Sequence, residues 1–324
     1  MEILVCGGAG YIGSHMVAYL LENNHKVVVL DNLSTGYKKS ILGGKFYEGD
    51  LRDPKILDKI FTENNIDAVI DFAAFSLVGE SMTDPLKYFN NNVFGTISLL
   101  EAMNKHNVKY LVFSSTAATY GEPDTVPITE NNKNNPTNSY GESKLMVEKI
   151  LKWCDYAYGI KYTALRYFNA CGAHVSGKIG ENHNPETHLI PLILDVVVGK
   201  RDTIKIYGDD YPTKDGTCIR DYIHVTDLAA AHLLALNNLM AGGDSKIYNL
   251  GNGEGFSVKE VIDIARKVTN HPIPAEVTPR RAGDPAVLIA SSQKAIEELN
   301  WKPQFNDLET IISSAYNWHK NKQY

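Results

Sequence analysis

The chain has 324 residues, 44% of them hydrophobic and 22% charged, a make-up that excludes disordered and fibrous classes and suffices for one large domain or two smaller ones. Its net charge of −6 argues against general nucleic-acid or anionic-membrane binding, though not against a local basic pocket for phosphates. No run approaches the roughly 18 apolar residues of a membrane span.

Met1 to Val5 lead directly into a strand pattern, with no basic-then-apolar leader, so a cytoplasmic location is expected. Cys6, Cys154, Cys171 and Cys218 are far apart and show neither C-x-x-C nor Cys/His zinc spacing, which reads as reduced structural thiols and no metal. In chain order, Ile3–Cys6 predicts a strand, Tyr11–Leu21 a helix, Val27–Leu30 a strand ending at Asp31, and Lys45–Glu48 a third ending at Asp50. Pro54–Glu63 reads as a helix, Ala68–Ile70 as a strand, Pro85–Lys105 as one long helix and Tyr110–Phe113 as the fifth strand. Ser139–Tyr156 is another helix and Tyr162–Arg166 a sixth strand. Short apolar strands alternating with helices imply a parallel sheet covered on both faces, with ligands at the carboxyl ends of its strands. Asp31, Asp50, Thr116 and Asn169 fall at or just beyond such ends.

After about residue 170 the pattern loosens, with polar loops at 174–188 and 207–217. We therefore expect residues 1–170 to form a dinucleotide-binding domain and 171–324 a smaller α/β substrate domain. The strand candidates Asp221–Val225 and Ile247–Leu250 are placed to return to the main sheet.

Gly7-x-x-Gly10-x-x-Gly13 lies between a strand and a helix in a unit that ends at Asp31. The glycines allow a tight turn and close approach of backbone to a pyrophosphate, and the helix N-terminus offers unpaired N–H groups. Asp31 suits the two hydroxyls of an adenosine ribose and would repel a 2′-phosphate, so NAD is favoured over NADP. The bland alternatives are a plain tight turn and a capping aspartate.

Tyr-x-x-x-Lys occurs twice, at Tyr140–Lys144 and Tyr316–Lys320. In a chain of this composition chance alone supplies about one such match, so context must choose. Tyr140 lies in the first turn of a helix, after Ser114-Ser115-Thr116 at a strand end. Lys144 is one turn on, on the same face, where its ammonium is expected to lower the phenol pKa and make Tyr140 a base. Tyr316 reads as part of a terminal amphipathic helix.

Together these residues resemble the extended short-chain dehydrogenase/reductase family. The resemblance narrows through Phe113–Gly121, Leu165–Ala170, Gly208–Thr217, Arg220–His224 and Arg280–Asp284 to the branch that epimerises UDP-hexoses at C4. It implies a Rossmann-type doubly wound parallel sheet, a resident NAD, and interconversion of UDP-glucose and UDP-galactose through a 4-keto sugar. By the same resemblance, Thr116, Tyr140 and Lys144 are the catalytic trio. Gly7, Gly10, Tyr11, Ile12 and Gly13 face the pyrophosphate, Asp31 and Asn32 the ribose, and Asp50 and Leu51 the adenine. Phe72, Ala73, Ala74 and Asn91 line the cofactor channel, and Phe168 lies by the nicotinamide. Asn169, Tyr207, Arg220, Arg281 and Asp284 contact the UDP-sugar. A homodimer is implied too, with Pro85–Lys105 and Ser139–Tyr156 as the candidate contact helices.

The departures are Thr116 in place of a common serine, Ser76 where the family often has lysine, and Leu288 at the position that gates a 2-N-acetyl group. Leucine leaves UDP-N-acetylglucosamine open as a substrate; UDP-glucuronate also remains open. A 4,6-dehydratase needs an acid and base after the threonine, where this chain has Ala117 and Ala118. A non-catalytic NAD-binding protein has no need of the intact trio.

Overall fold

The computed structural model describes residues 1–281 and 284–324; Ala282 and Gly283 of the Arg280–Asp284 motif lie outside it. The first half runs β1 (Glu2–Cys6), α1 (Tyr11–Glu22), β2 (Lys26–Asp31), β3 (Lys45–Glu48), α2 (Pro54–Glu63), β4 (Ala68–Asp71), α3 (Val78–Thr83) and α4 (Pro85–Tyr88). A π-helical stretch, Phe89–Phe94, joins α4 to α5 (Gly95–Lys105); β5 (Tyr110–Thr116), α6 (Ser139–Tyr158) and β6 (Lys161–Tyr167) follow. The second half comprises β7 (Asn169–Cys171), α7 (Leu189–Val197), β8 (Ile204–Tyr207), β9 (Ile219–His224), α8 (Val225–Met240) and β10 (Lys246–Leu250). It closes with β11 (Gly255–Ser257), α9 (Val258–Thr269), β12 (Ala275–Thr278), β13 (Val287–Leu288), α10 (Gln293–Leu299) and α11 (Leu308–Lys320).

The main sheet has seven strands in the order β10-β6-β5-β4-β1-β2-β3, all parallel. Chain direction across the sheet reverses between β1 and β4, which opens a crevice at their carboxyl ends. Strand periodicity explains the two faces. Ile3, Val5, Val27 and Val29 pack with α1 and α8, whereas Leu4, Cys6, Val28 and Leu30 pack with α2, α5 and α6. This is the doubly wound α/β fold expected, with a smaller region beside it. There β9 pairs with β7, β11 and β13, and β8 pairs with β12. A third apolar core beneath them joins α7, α9 and α11.

At several points the observed elements refine the expected ones. Pro85–Lys105 is one helical run, but its centre is π-helical and α3 precedes it. The fifth strand runs past its expected limit at Phe113 to end at Thr116, because the pairing with β6 continues to Thr116↔Tyr167. Of the two strands expected to return, β10 joins the main sheet beside β6, while the segment at Asp221 becomes β9 of the smaller sheet. The boundary placed at residue 170 falls inside β7.

A buried ion pair locks α6 to the sheet. Glu148 accepts from Arg166 Nε at 2.9 Å and Nη2 at 2.5 Å, and from Ser115 Oγ at 2.5 Å. Both charged side chains are almost wholly buried, and the guanidinium also lies over the Tyr120 ring at 4.7 Å. Removing one partner leaves an uncompensated charge in the interior, at a cost of about 3–5 kcal/mol. Glu148→Ala is expected to lower the free energy of urea unfolding by that amount, whereas Lys149→Ala, one residue along on the exposed face, is expected to change it by less than about 0.5 kcal/mol. Equal losses in the two variants would remove the ion pair from this role.

Candidate functional site

The glycine turn between β1 and α1 is built by close contacts. Gly7 has φ +73°, and a Cβ there would meet Ala73 N at 2.8 Å. A Cβ on Gly13 would lie 2.1 Å from Gly7 O, so α1 packs onto the turn only without one. At Gly10 the nearest protein atom would be an ordinary 3.4 Å away. Protein packing therefore does not demand glycine at position 10, and an approaching ligand is the natural reason for it. Gly10 also caps α1 with no side-chain hydrogen bond, leaving the first amides for an anion. Tyr11 and Ile12 form that first turn.

Asp31, at the end of β2, accepts from Ala9 N and Leu33 N, each at 2.8 Å. A carboxylate offers about four acceptor sites, so these two bonds fix its orientation and leave capacity for two hydroxyls. Burial raises its pKa, and the two amides oppose that shift. Asp50 is held by Asn32 Nδ2 at 3.1 Å and by Arg52 at 2.8 and 2.6 Å. The Arg52 guanidinium beside it holds its carboxyl well below the usual range. Arg52 was not anticipated from the sequence. Leu51 is buried beneath.

Phe72, Ala73 and Ala74 follow β4 and pass over Gly7, and Ser76 continues this loop. Asn91 lies in the π-helical stretch and donates to Asn92 Oδ1 at 3.0 Å. Asn92 is the inward-facing residue: it accepts from Phe75 N at 2.9 Å and donates to Phe75 O at 3.1 Å and Ser143 Oγ at 3.0 Å. Asn92, which the sequence reading did not name, is the buried neighbour of Asn91 in this stretch.

Asn138 caps α6 by accepting from Gly141 N at 2.8 Å, which places Tyr140 in the first turn. Burial raises the Tyr140 pKa, and the Thr116 hydroxyl opposes the shift. The Lys144 ammonium donates to Ser114 O at 2.8 Å and lies over the Phe113 ring at 4.7 Å. Burial brings Lys144 itself down to about 8, against the pull of Asp71 and Glu148. Asp71, at the end of β4, is fully buried and pushed up to about 6 by desolvation. No motif signalled it; its signal was only its place at the end of a buried strand. Thr116 accepts from Ala118 N at 3.1 Å and starts a short 3₁₀ turn, Ala117–Thr119, which presents no carboxyl group. The second Tyr-Lys pair stays within α11, where Lys320 Nζ lies 4.3 Å over the Tyr316 ring and Tyr316 packs on the smaller core.

Beyond β6, Phe168 leads into Asn169, whose amide donates to Asp221 O at 2.8 Å. Asn169, Tyr207, Arg220, Arg281 and Asp284 line one cavity of about 370 Å³. Arg220 Nη2 is 3.7 Å from Asp284 Oδ1, and Arg281 Nε bonds Asp284 Oδ2 at 2.9 Å. The Arg281 guanidinium also covers the Tyr207 ring at 4.8 Å. Two guanidinium groups against one carboxylate leave net positive charge, suited to a diphosphate. Leu288 sits on β13 directly beside Arg220. His188 and Leu189, missed by the sequence reading, complete one wall. Asp221, between Arg220 and the next strand residues, points away from the cavity's polar groups: it ties the backbone N–H groups of Ala290, Asn252 and Gly253.

Comparison with known proteins agrees with this geometry. The model of the NAD dependent epimerase/dehydratase family matches residues 3–251. A UDP-glucose 4-epimerase of Halalkalibacterium halodurans is 59% identical over 320 residues, covering 99% of this chain and 96% of that protein. The crystal structure of UDP-glucose 4-epimerase from Bifidobacterium longum in complex with NAD⁺ and UDP superposes with a TM-score of 0.94 at 41% identity, covering 99% of both chains. The UDP-Glc/GlcNAc 4-epimerase of Campylobacter jejuni superposes with a TM-score of 0.87 at 45% identity, covering 98% of this chain and 99% of that one. The chain belongs to the NAD dependent epimerase/dehydratase family.

Proposed function

We propose that this chain interconverts UDP-glucose and UDP-galactose by reversible oxidation at sugar C4, with Tyr140 as the proton-transferring group. One observation carries the reading: Thr116, Tyr140 and Lys144 converge at the strand ends between a glycine turn with Asp31 and a cavity lined by Arg220 and Arg281. Relatives 58–59% identical to the chain bear the same activity in their names.

The chain's own groups fit NAD. The uncapped α1 amides and open Gly10 suit its pyrophosphate, and the remaining acceptor sites of Asp31 suit the adenosine ribose. NAD, when bound, supplies a reversible hydride acceptor and the positive charge of its oxidised ring. Burial keeps the Tyr140 phenol protonated at neutral pH in the protein alone, so added positive charge near it is what turns it into a base. Lys144, anchored to Ser114 O, adds its ammonium to that field. Thr116 orients the phenol and the sugar 4-hydroxyl towards each other. Asn169, Arg220, Arg281 and Asp284 hold the UDP end, with Tyr207 placed for the uracil face. Binding energy concentrated on UDP leaves the sugar free to turn between oxidation and return. The Ala117–Ala118 turn provides no acid or base for loss of water, which disfavours the dehydratase reading. We also place residues 1–170 and 171–324 as nucleotide and substrate portions, with α8 and β10 of the second completing the main sheet.

Two further readings belong here. Among the described residues no helix is long and apolar enough to cross a membrane, in keeping with a cytoplasmic location. Phe94, Met146, Trp153 and Tyr156 are exposed apolar groups on the π stretch leading into α5 and on α6, which supports a homodimer through those helices.

Tyr140→Phe is expected to lower kcat by about 100- to 10,000-fold with NAD retained. Lys144→Met is expected to shift the rising limb of the kcat–pH profile to higher pH, since loss of a nearby cation raises the phenol pKa; unchanged turnover in Tyr140→Phe would overturn the mechanism. Sedimentation velocity is expected to show a dimer for the wild type and a monomer for Trp153→Glu/Tyr156→Glu; a monomeric wild type would refute the dimer. In coupled assays the wild type is expected to turn over UDP-galactose and also UDP-N-acetylgalactosamine. Leu288→Tyr should retain only the former activity, and background rates of the wild type on the N-acetyl sugar would refute the broader specificity.

A further inference from the structure

The loop before α7 brings together four side chains that the epimerisation does not use. They are Glu181, His183, Glu186 and His188, spaced two, three and two residues apart. One ligand-type atom from each lies within 4.8 Å of the others. Both imidazoles turn the same nitrogen inward. His188 Nδ1 is 2.9 Å from Glu181 Oε1 and 2.9 Å from Glu186 Oε1. His183 Nδ1 is 3.3 Å from Glu181 Oε1 and 3.5 Å from Glu186 Oε2.

Hydrogen bonds do not account for all of this. The Glu186 side chain is only 10% exposed, yet its Oε2 and the buried Nδ1 of His183 make no hydrogen bond of good geometry; they meet only as an ion pair 3.5 Å apart. The spacings fit a different occupant. Zinc binds imidazole nitrogen and carboxylate oxygen at about 2.0–2.2 Å in a tetrahedron, so its ligand atoms stand about 3.3–3.6 Å apart. The observed separations bracket that value. Against the effect of burial, the two carboxylates raise His183 to about 9 and His188 to about 10; a divalent cation takes the place of those two protons, since ligation uses neutral imidazoles.

We propose that Glu181, His183, Glu186 and His188 form a tetrahedral site for one zinc-class divalent cation, which stiffens the loop between the nucleotide turn and the sugar cavity. The loop's position gives the site its purpose. The Tyr11 ring, at the start of α1, meets the His183 ring edge-on with centroids 6.2 Å apart. On the other side, Glu181, Glu186 and His188 line the cavity that holds Arg220 and Arg281. The loop is anchored further by Trp318 Nε1, which donates to Glu181 O at 3.0 Å, but it has no regular secondary structure of its own from 181 to 188. A cation joining four side chains within eight residues closes this loop with little entropic cost.

The test is metal binding, read independently of turnover. The tag-free chain, stripped with chelator and checked for a native circular dichroism spectrum, is titrated with Zn²⁺ alone and assayed by equilibrium dialysis and elemental analysis. One equivalent is expected, with affinity weakened at least about 100-fold in His183→Ala and in Glu186→Gln, beyond what loss of an outer-shell partner alone produces. Co²⁺ in place of Zn²⁺ is expected to give the intense visible bands of a tetrahedral centre, lost in both variants. Retention of less than a tenth of an equivalent by the folded wild type, or equal retention by wild type and both variants, would overturn the proposal.

Discussion

The Glu148–Arg166 pair under α6 is the constraint on which the rest of the site depends. Tyr140, Lys144 and Glu148 follow one another at four-residue intervals along one face of that helix. Fixing the third by two charge-assisted bonds to β6 and one hydroxyl bond from β5 fixes the rotation of the helix about its axis. The positions of the first two follow. The ion pair thus acts as a rotational stop whose benefit appears two turns away, where the phenol meets the strand ends. A hydrophobic pair would give comparable burial without setting that angle.

Electrostatics in the centre are arranged to stay unfinished until the nucleotide arrives. Lys144 is spent on a strand carbonyl and on the field of Asp71, and Tyr140 is held in its neutral form by burial. A tyrosine already ionised in the free protein would be a buried anion without a full partner, which is costly. On the proposed function, proton abstraction by Tyr140 is thereby tied to occupancy by the oxidised cofactor.

Legibility in the sequence divided along physical lines. The main sheet was readable because its strands are short apolar runs bounded by glycine, proline or aspartate. β3 and α2 match their expected limits residue for residue. The places of Asp31 and Thr116 at strand ends and of Tyr140 in the first turn of a helix were readable because motif and local pattern agree. What escaped depends on contacts distant in sequence. Arg52 acts through Asp50 and Asn32, Asp71 through burial alone, and the Asp221 carboxylate through amides at 252, 253 and 290. The smaller region was the least legible, since its short strands pair across long intervals, as β9 does with β7 and β13.

The π-helical stretch Phe89–Phe94 amounts to one extra residue inserted in an α-helix. It offsets the apolar stripe of α5 from that of α4 by about 100°, the angle one residue subtends in a helix of 3.6 residues per turn. A single-residue deletion there would restore a regular helix and at the same time turn one half of it away from its partners. The stretch is therefore a phase marker in the chain: a change of length along this helix turns one half against the other, whereas a substitution on its surface does not. Asn92, whose two donors and one carbonyl are all engaged, is the residue against which that phase is set.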